Sequence, residues 1–201
     1  MNNFEFCKYT MLHRMTLKYL VEKRFAFKEM DGNLYDIIST RISYHDCDKL
    51  FLYQFLDKKS ASKLHREVSP HHMENNISKS YIDYLEAVLD YESAGYTKPD
   101  KPLNAYDTIC MLYNKNKISE EDYTELIRIT KELGIDCSYR VSNFMSEMIK
   151  FHQFSNNTEI TEKDILDTIQ AWLSSNFLSE SLLKMLMLMP EYANIDLKEI
   201  Q

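Results

Sequence analysis

Apolar residues recur every three or four positions through most of the chain, which is the spacing of one buried face of an α-helix. In residues 4–29 a lysine- and glutamate-rich face backs this apolar stripe, so the pattern predicts one long helix that Asp31-Gly32-Asn33 ends. Further helices are predicted over residues 34–40, 43–57, 80–93, 104–113, 138–154 and 177–188. Residues 58–76 are polar, and we interpret them as an irregular loop.

Residues of the type that cap helices stand at several of the predicted starts. Asn104 precedes one apolar run, and residues 119–122 and 161–164 resemble capping boxes with Asp in the place of the usual Glu or Gln. The chain has only 3 Gly and 4 Pro, so the tight turns and sheet corners of a β-protein are poorly supplied. These signals together predict an all-α fold.

The composition is that of a globular protein, with 44% hydrophobic and 27% charged residues in a chain of 201, long enough for one sizeable domain. The net charge is -7 and no basic run reaches five residues, which argues against binding to bulk nucleic acid. We see neither a signal peptide nor an apolar run of roughly 18 residues that could span a membrane. The four cysteines form no CxxC pair, so we expect a cytoplasmic protein with reduced thiols and no membrane partner.

Five of the six histidines fall between positions 13 and 72, and carboxylates accompany them. In chain order the candidates are His13, His45, Asp46, His65, His71, His72 and then Asp83, Glu86 and Asp90 on one face of the predicted 80–93 helix. Imidazole and carboxylate together form a mixed nitrogen and oxygen ligand set for a divalent transition metal. Three alternatives stay open: a hydrogen-bonded core histidine at position 13, a histidine-rich surface loop, and a solvated acidic face.

The adjacent pair His45-Asp46 falls in the first turn of the predicted 43–57 helix. Neighbouring residues on a helix diverge by about 100°, so the two side chains cannot share one narrow stripe. They can still hold one ion from two sides if it lies beyond the N-terminal end of the helix. The alternative is that Asp46 only complements the helix dipole and that His45 is incidental.

Taken together, these residues resemble the HD superfamily of metal-dependent phosphohydrolases, which combine an early histidine, a His-Asp doublet, further histidines and a terminal aspartate. A closer resemblance is to the DUF5662 family of small bacterial and phage proteins. The stretches that carry it are His45-Asp46-Cys47-Asp48-Lys49, His65-Arg66 with His71-His72-Met73-Glu74, and Glu86-Ala87-Val88-Leu89-Asp90. Two departures are Asp48, where that family has Ser, and Asn75-Asn76, where it has aromatic residues of the pocket wall.

The resemblance covers roughly residues 10–110 and implies an HD-domain-like helical bundle with additional C-terminal helices. We expect residues 1–115 to form the metal-binding core and residues 116–201 to pack on it as a helical extension, within one compact domain. Three roles are open for the extension: completing the bundle, forming a lid, or making a homo-oligomer contact.

The resemblance also implies a ligand set for one or two divalent transition metal ions, without distinguishing Mn, Fe, Co, Ni, Zn or Mg. The first ion would be bound by His13, His45, Asp46 and Asp90. A second ion would share Asp46 and take its other ligands from His65, His71 and His72. The residues expected to carry catalysis are then His45, Asp46, Lys49, His65, His71 and His72.

The function implied is hydrolysis of a nucleotide or another small phosphoester by a metal-activated water. The cations available to contact a phosphate are Lys49, Arg66, Lys98 and Lys101, each of which is alternatively a solvated surface charge. Three other functions stay open: a di-iron oxygenase, an interaction protein with a structural metal, and a nucleic-acid phosphodiesterase. The acidic balance of the chain argues against the last of these.

Overall fold

The computed structural model describes residues 3–25, 27, 31–98, 103–135, 150–153 and 155–175. Within them there is no β-strand, so the predicted all-α class is confirmed. The α-helices are α1 (Phe4–Tyr19), α2 (Gly32–Tyr44), α3 (Cys47–Leu52), α4 (Lys58–Val68), α5 (Tyr81–Thr97), α6 (Ala105–Asn114), α7 (Glu120–Glu132) and α8 (Glu162–Leu173). A π-helical segment, Leu20–Arg24, continues α1.

The predicted capping residues begin their helices as expected. The side chains of Asn104, Ser119 and Thr161 accept backbone hydrogen bonds at the starts of α6, α7 and α8. Ser80 opens α5 with a complete capping box, in which its hydroxyl accepts from the Asp83 amide and the Asp83 carboxylate accepts from the Ser80 amide. Such caps each stabilise a helix by about 1 kcal/mol, because they satisfy amides that have no partner within the helix.

Two of the predicted boundaries around the His-Asp pair are wrong. The helix predicted over 34–40 extends to Tyr44, and the helix predicted over 43–57 is only Cys47–Leu52. His45 and Asp46 therefore lie in a turn between two helices and not in the first turn of one. The helix boundaries were wrongly predicted because the helical spacing of apolar residues continues across this turn, where Ile42 and Leu50 are both buried.

The irregular loop predicted over residues 58–76 is wrong in its first half, which forms α4. Asp57 caps this helix by accepting from the Lys59 and Ser60 amides, and the helix buries Ala61, Leu64 and Val68 along one face. The predicted end of α5 near Gly95 is also wrong, since the helix continues to Thr97. Burial of the neighbouring Tyr96 side chain offsets the roughly 1 kcal/mol that a helical glycine costs.

The helix predicted over 177–188 lies outside the described residues. Of the helix predicted over 138–154, residues 150–153 are described, and they are helical. None of the described helices combines the length and apolar character that crossing a membrane would require. The three described cysteines, Cys7, Cys47 and Cys110, are free thiols.

Two hydrophobic cores adjoin each other along α1. The first lies between α1, α2, α5, α6 and α7, and the second between the start of α1 and helices α3, α4 and α8. Cys7 belongs to the second core and Leu17 to the first, with the buried His13 between them on α1. Residues beyond position 115 contribute to both cores, for example Leu126 to the first and Trp172 to the second.

Candidate metal centre

Five histidines from separate parts of the chain meet where the two cores adjoin. They come from α1, the α2–α3 turn, α4 and the loop before α5, and their exposed fractions lie between 0% and 9%. Their nitrogen atoms and nearby carboxylate oxygens form groups within 4.8 Å of one another: His13, His45 and Asp46; His45, His71 and Asp90; His65, His71 and His72; and Asp46, Asp48 and His65. The structure thus brings together all seven residues expected to bind metal.

The turn between α2 and α3 explains how adjacent residues can both face this cluster. His45 has an extended backbone, and Asp46 has a left-handed one with φ 57° and ψ 11°. The 100° divergence of helical neighbours therefore does not apply, and Asp is among the few residue types that tolerate this conformation. Arg14 fixes the turn by donating to the carbonyl oxygens of Ser43 and His45, at 2.9 and 2.5 Å.

Each imidazole has an oxygen of a neighbouring side chain close to its Nδ1 atom. The Ser93 hydroxyl donates to the Asp90 carbonyl and lies 3.1 Å from His13 Nδ1, so it accepts from that nitrogen. His65 Nδ1 lies 2.6 Å from Asp48 Oδ2, and a carboxylate can only accept. These contacts favour a hydrogen on Nδ1, and Nε2 faces the cluster, where a bound ion would replace any hydrogen that it carries.

The remaining three histidines follow the same pattern. Nδ1 of His45 and Nδ1 of His71 lie 2.9 and 3.4 Å from the same oxygen, Glu86 Oε1. His72 Nδ1 lies 3.5 Å from Glu74 Oε2. All five histidines therefore have an oxygen near Nδ1.

The Nε2 atoms lie close to carboxylate oxygens at distances that fit shared coordination. His13 Nε2 is 2.8 Å from Asp90 Oδ1, and Asp46 Oδ1 is 3.1 Å from His65 Nε2 and 3.5 Å from His45 Nε2. Ligand atoms bound at about 2.1 Å and at right angles to one another are roughly 3 Å apart. The donor atoms are therefore spaced as ligands of a common ion would be.

Five buried atoms of the cluster have no hydrogen-bond partner among the described residues. They are Nε2 of His45, His65, His71 and His72, and Oδ1 of Asp46. Buried polar atoms are almost always paired, and leaving one unpaired costs about 1–3 kcal/mol. Nitrogen lone pairs and a carboxylate oxygen need a positive partner, so these residues could hold a metal ion.

The pKa values of two imidazoles of the cluster are shifted in opposite directions. Burial alone would lower the pKa of His45, but the carboxylates of Asp46, Glu86 and Asp90 outweigh it and raise the pKa to about 9. Burial and the neighbouring imidazoles hold the pKa of His71 well below its usual range. The carboxylate side of the cluster thus favours a positive charge, which is a proton on His45 while no ion is bound and which a metal ion would displace, whereas the His71 imidazole is neutral.

The carboxylates of the cluster are held in their ionised form. Burial would raise the pKa of Asp46, but Lys49 and the nearby imidazoles keep it well below its usual range. Burial would likewise raise the pKa of Asp90, but the hydrogen bond from His13 helps to hold it well below that range. Both carboxylates are therefore charged at neutral pH and could serve as oxygen ligands.

The four candidate phosphate-binding cations have different positions. Lys49 Nζ donates to Asp46 Oδ2 at 2.8 Å, and the side chain is 19% exposed at the edge of the cluster. Arg66 and Lys98 are exposed, and Lys101 lies outside the described residues.

Several residues that support the ligands were only partly anticipated from the sequence. Asp83, Glu86 and Asp90 share a face of α5 as expected, and Arg41, which was not predicted, binds the first two. Asp48, which departs from the DUF5662 pattern, orients His65. Asn75 occupies a position where DUF5662 proteins have an aromatic residue of the pocket wall. Its amide donates to the carbonyl oxygens of Arg66 and Ser69 and so stabilises the loop that carries His71 and His72.

Comparison with known proteins adds no assignment. A scan against protein-family models finds no match, and searches of curated proteins and of solved structures find none either. The resemblance to the HD superfamily and to DUF5662 therefore stays a prediction that rests on the residues named above.

Proposed function

We propose that the protein is a metal-dependent phosphohydrolase that acts on a nucleotide or another small phosphoester. The observation that carries the proposal is the set of four buried Nε2 atoms and one carboxylate oxygen that face one another without hydrogen-bond partners. Their residue types and spacing fit divalent ions, and their order along the chain resembles that of HD phosphohydrolases.

The residues fall into four overlapping ligand groups, which favours two ions over one. His13, His45 and Asp46 form one group and His65, His71 and His72 another, and a third group, His45, His71 and Asp90, shares a histidine with each. Asp46 Oδ1 lies within 3.5 Å of the Nε2 atoms of His45 and His65, so its carboxylate could serve both ions. Divalent ions at such a centre supply an activated water nucleophile and neutralise the charge that grows on phosphoryl oxygens.

Lys49 is the cation best placed to contact a substrate phosphate. It is partly exposed beside Asp46, and Asp46 and Asp90 outweigh the effect of burial and raise the pKa of its ammonium group. A positive charge held at the edge of the cluster can bind a phosphate oxygen while the imidazoles hold the ions deeper in the protein.

The test is phosphate release from a panel of nucleotides and small phosphomonoesters, with protein loaded in turn with Mn²⁺, Co²⁺, Zn²⁺ or Mg²⁺. We expect turnover of at least one substrate class, loss of it with a chelator, and loss of it in Asp46→Asn. His152→Ala is the matched control, because His152 is a histidine that belongs to none of the ligand groups among the described residues. Metal-loaded protein that releases no phosphate from any substrate contradicts the proposal, and oxygen uptake by the Fe²⁺-loaded protein would instead support a di-iron oxygenase.

A further inference from the structure

Glu86 lies at the centre of the site without belonging to any ligand group found among the described residues. Its side chain is buried on α5, and its two oxygens have different partners. Oε2 accepts from Arg41 Nε at 3.0 Å and from Arg41 Nη2 at 2.7 Å. Oε1 faces the histidines, 2.9 Å from His45 Nδ1 and 3.4 Å from His71 Nδ1.

The two oxygens of Glu86 therefore have separate roles, one for Arg41 and one for two imidazoles. Arg41 carries only donors, so it occupies one oxygen of Glu86 and leaves the other to the imidazoles. A carboxylate oxygen can only accept, which places a hydrogen on Nδ1 of His45 and favours one on Nδ1 of His71, whose 3.4 Å distance is longer than that of a good hydrogen bond. Both Nε2 atoms then face the cluster, where neither has a hydrogen-bond partner and each can coordinate an ion.

The two imidazoles near Glu86 Oε1 connect different ligand groups. His45 groups with His13 and Asp46, His71 groups with His65 and His72, and the two form a further group with Asp90.

The orienting contacts of the other imidazoles each involve one histidine. Ser93 contacts His13, Asp48 and Ser69 contact His65, and Glu74 contacts His72.

We infer that Glu86, held by Arg41, is a positioning residue that couples the two ion positions of the proposed metal centre. The inference rests on the two-ion centre of the proposed function, but not on the reaction carried out there. Loss of Glu86 weakens binding at both positions, while loss of a residue that contacts one histidine weakens binding at one.

Glu86→Gln is a sharp test because it preserves size and reverses hydrogen-bond polarity. The glutamine oxygen must turn to Arg41, which only donates, so the amide NH2 faces His45 and His71 and disfavours hydrogens on their Nδ1 atoms. Ser93→Ala is the matched control, since it removes the partner of His13 alone. Arg41→Lys is a second variant that keeps the charge but loses the bidentate contact.

The measurement is titration of metal-free protein with Co²⁺, followed by visible absorption, with long-range ¹⁵N–¹H spectra of the Zn²⁺-loaded protein. We expect two ions in the wild type, with hydrogens on Nδ1 of His45 and His71. In Glu86→Gln both affinities fall about 10–100-fold, as they do when outer partners of metal ligands are removed. Arg41→Lys lowers both by less, and Ser93→Ala lowers one.

A Glu86→Gln protein that keeps its circular dichroism spectrum but loses affinity at one position only, or at neither, overturns the inference. So does a wild type that binds fewer than two ions. A wild type that binds two ions but hydrolyses no phosphoester contradicts the proposed function and leaves the role of Glu86 intact, because neither measurement depends on turnover.

Discussion

Helix α5 contributes carboxylates to two buried sites, an ion pair and the histidine cluster. The two sites differ in whether their polar atoms have hydrogen-bond partners. Both oxygens of Glu92 accept hydrogen bonds, Oε1 from Arg24 and Oε2 from the Ala105 amide at 2.7 Å. Glu86 and Asp90, on the same helix, face a cluster in which four imidazole nitrogens and one carboxylate oxygen lack partners. Burial of charge is common to both groups, so the buried imidazole nitrogens and the carboxylate oxygen without partners are what mark the cluster as a candidate metal centre.

The comparison predicts its largest effect on stability for Glu92→Ala. Arg24, whose side chain is 6% exposed, would keep its buried charge without its carboxylate partner, and breaking a buried pair in this way costs about 3–5 kcal/mol. The loss should be the same with metal ions or with a chelator, as measured by denaturant unfolding. The control is Glu67→Ala, which removes an exposed pair with Lys63 and should cost less than about 1 kcal/mol.

The second prediction concerns the cluster, where added ions should stabilise the fold. Free Co²⁺ at 100 times its dissociation constant should raise the free energy of unfolding by about 2.7 kcal/mol for each site it fills. Asp46→Asn should abolish most of this gain, and Asn is used because it tolerates the left-handed backbone that Ala would strain. A gain of equal size in Asp46→Asn would mean that the ions bind elsewhere.

A third prediction separates ligand binding from substrate binding. Lys49→Ala would remove the proposed charged hydrogen bond to the substrate phosphate, and such a bond is worth about 1.5–3 kcal/mol, so KM should rise at least about tenfold. The measurement is steady-state kinetics on whichever phosphoester the panel finds. An unchanged KM would remove Lys49 from the phosphate site.

The smallest effect is expected for Arg66→Ala. Arg66 is exposed on α4, and such surface substitutions change stability by about 0.5 kcal/mol or less. We expect KM within about twofold of the wild type in the same assay, in contrast with Lys49→Ala. A larger rise would indicate that substrate extends from the cluster to α4.

The sequence predicts the parts of this site that depend on local pattern. The helix predicted from residue 80 and the spacing of Glu86 and Asp90 place two carboxylates on one face of α5, as the structure has them. His65, a predicted ligand, lies in the cluster but was placed in a loop, because α4 is mostly polar and its apolar residues form only a short buried face.

What local pattern cannot provide is contact between distant residues. Arg41 reaches Glu86 across 45 positions, and nothing in its own helix indicates that partner. The turn at His45-Asp46 was also missed, because a left-handed Asp has no periodic signature. The candidate ligands were therefore predictable as a set of residue types, whereas the groups that orient them can be identified only from the fold.

The central claim is that the cluster binds two divalent ions that share Asp46. The most direct measurement is equilibrium titration of metal-free protein with Co²⁺, comparing the wild type with Asp46→Asn and with His152→Ala. We predict two ions per chain in the wild type and in His152→Ala. Binding to Asp46→Asn should be more than about 100-fold weaker, which exceeds the loss in affinity caused by removing an outer partner of a ligand. A wild type that binds no ion, or an Asp46→Asn variant that binds like the wild type, would contradict the claim.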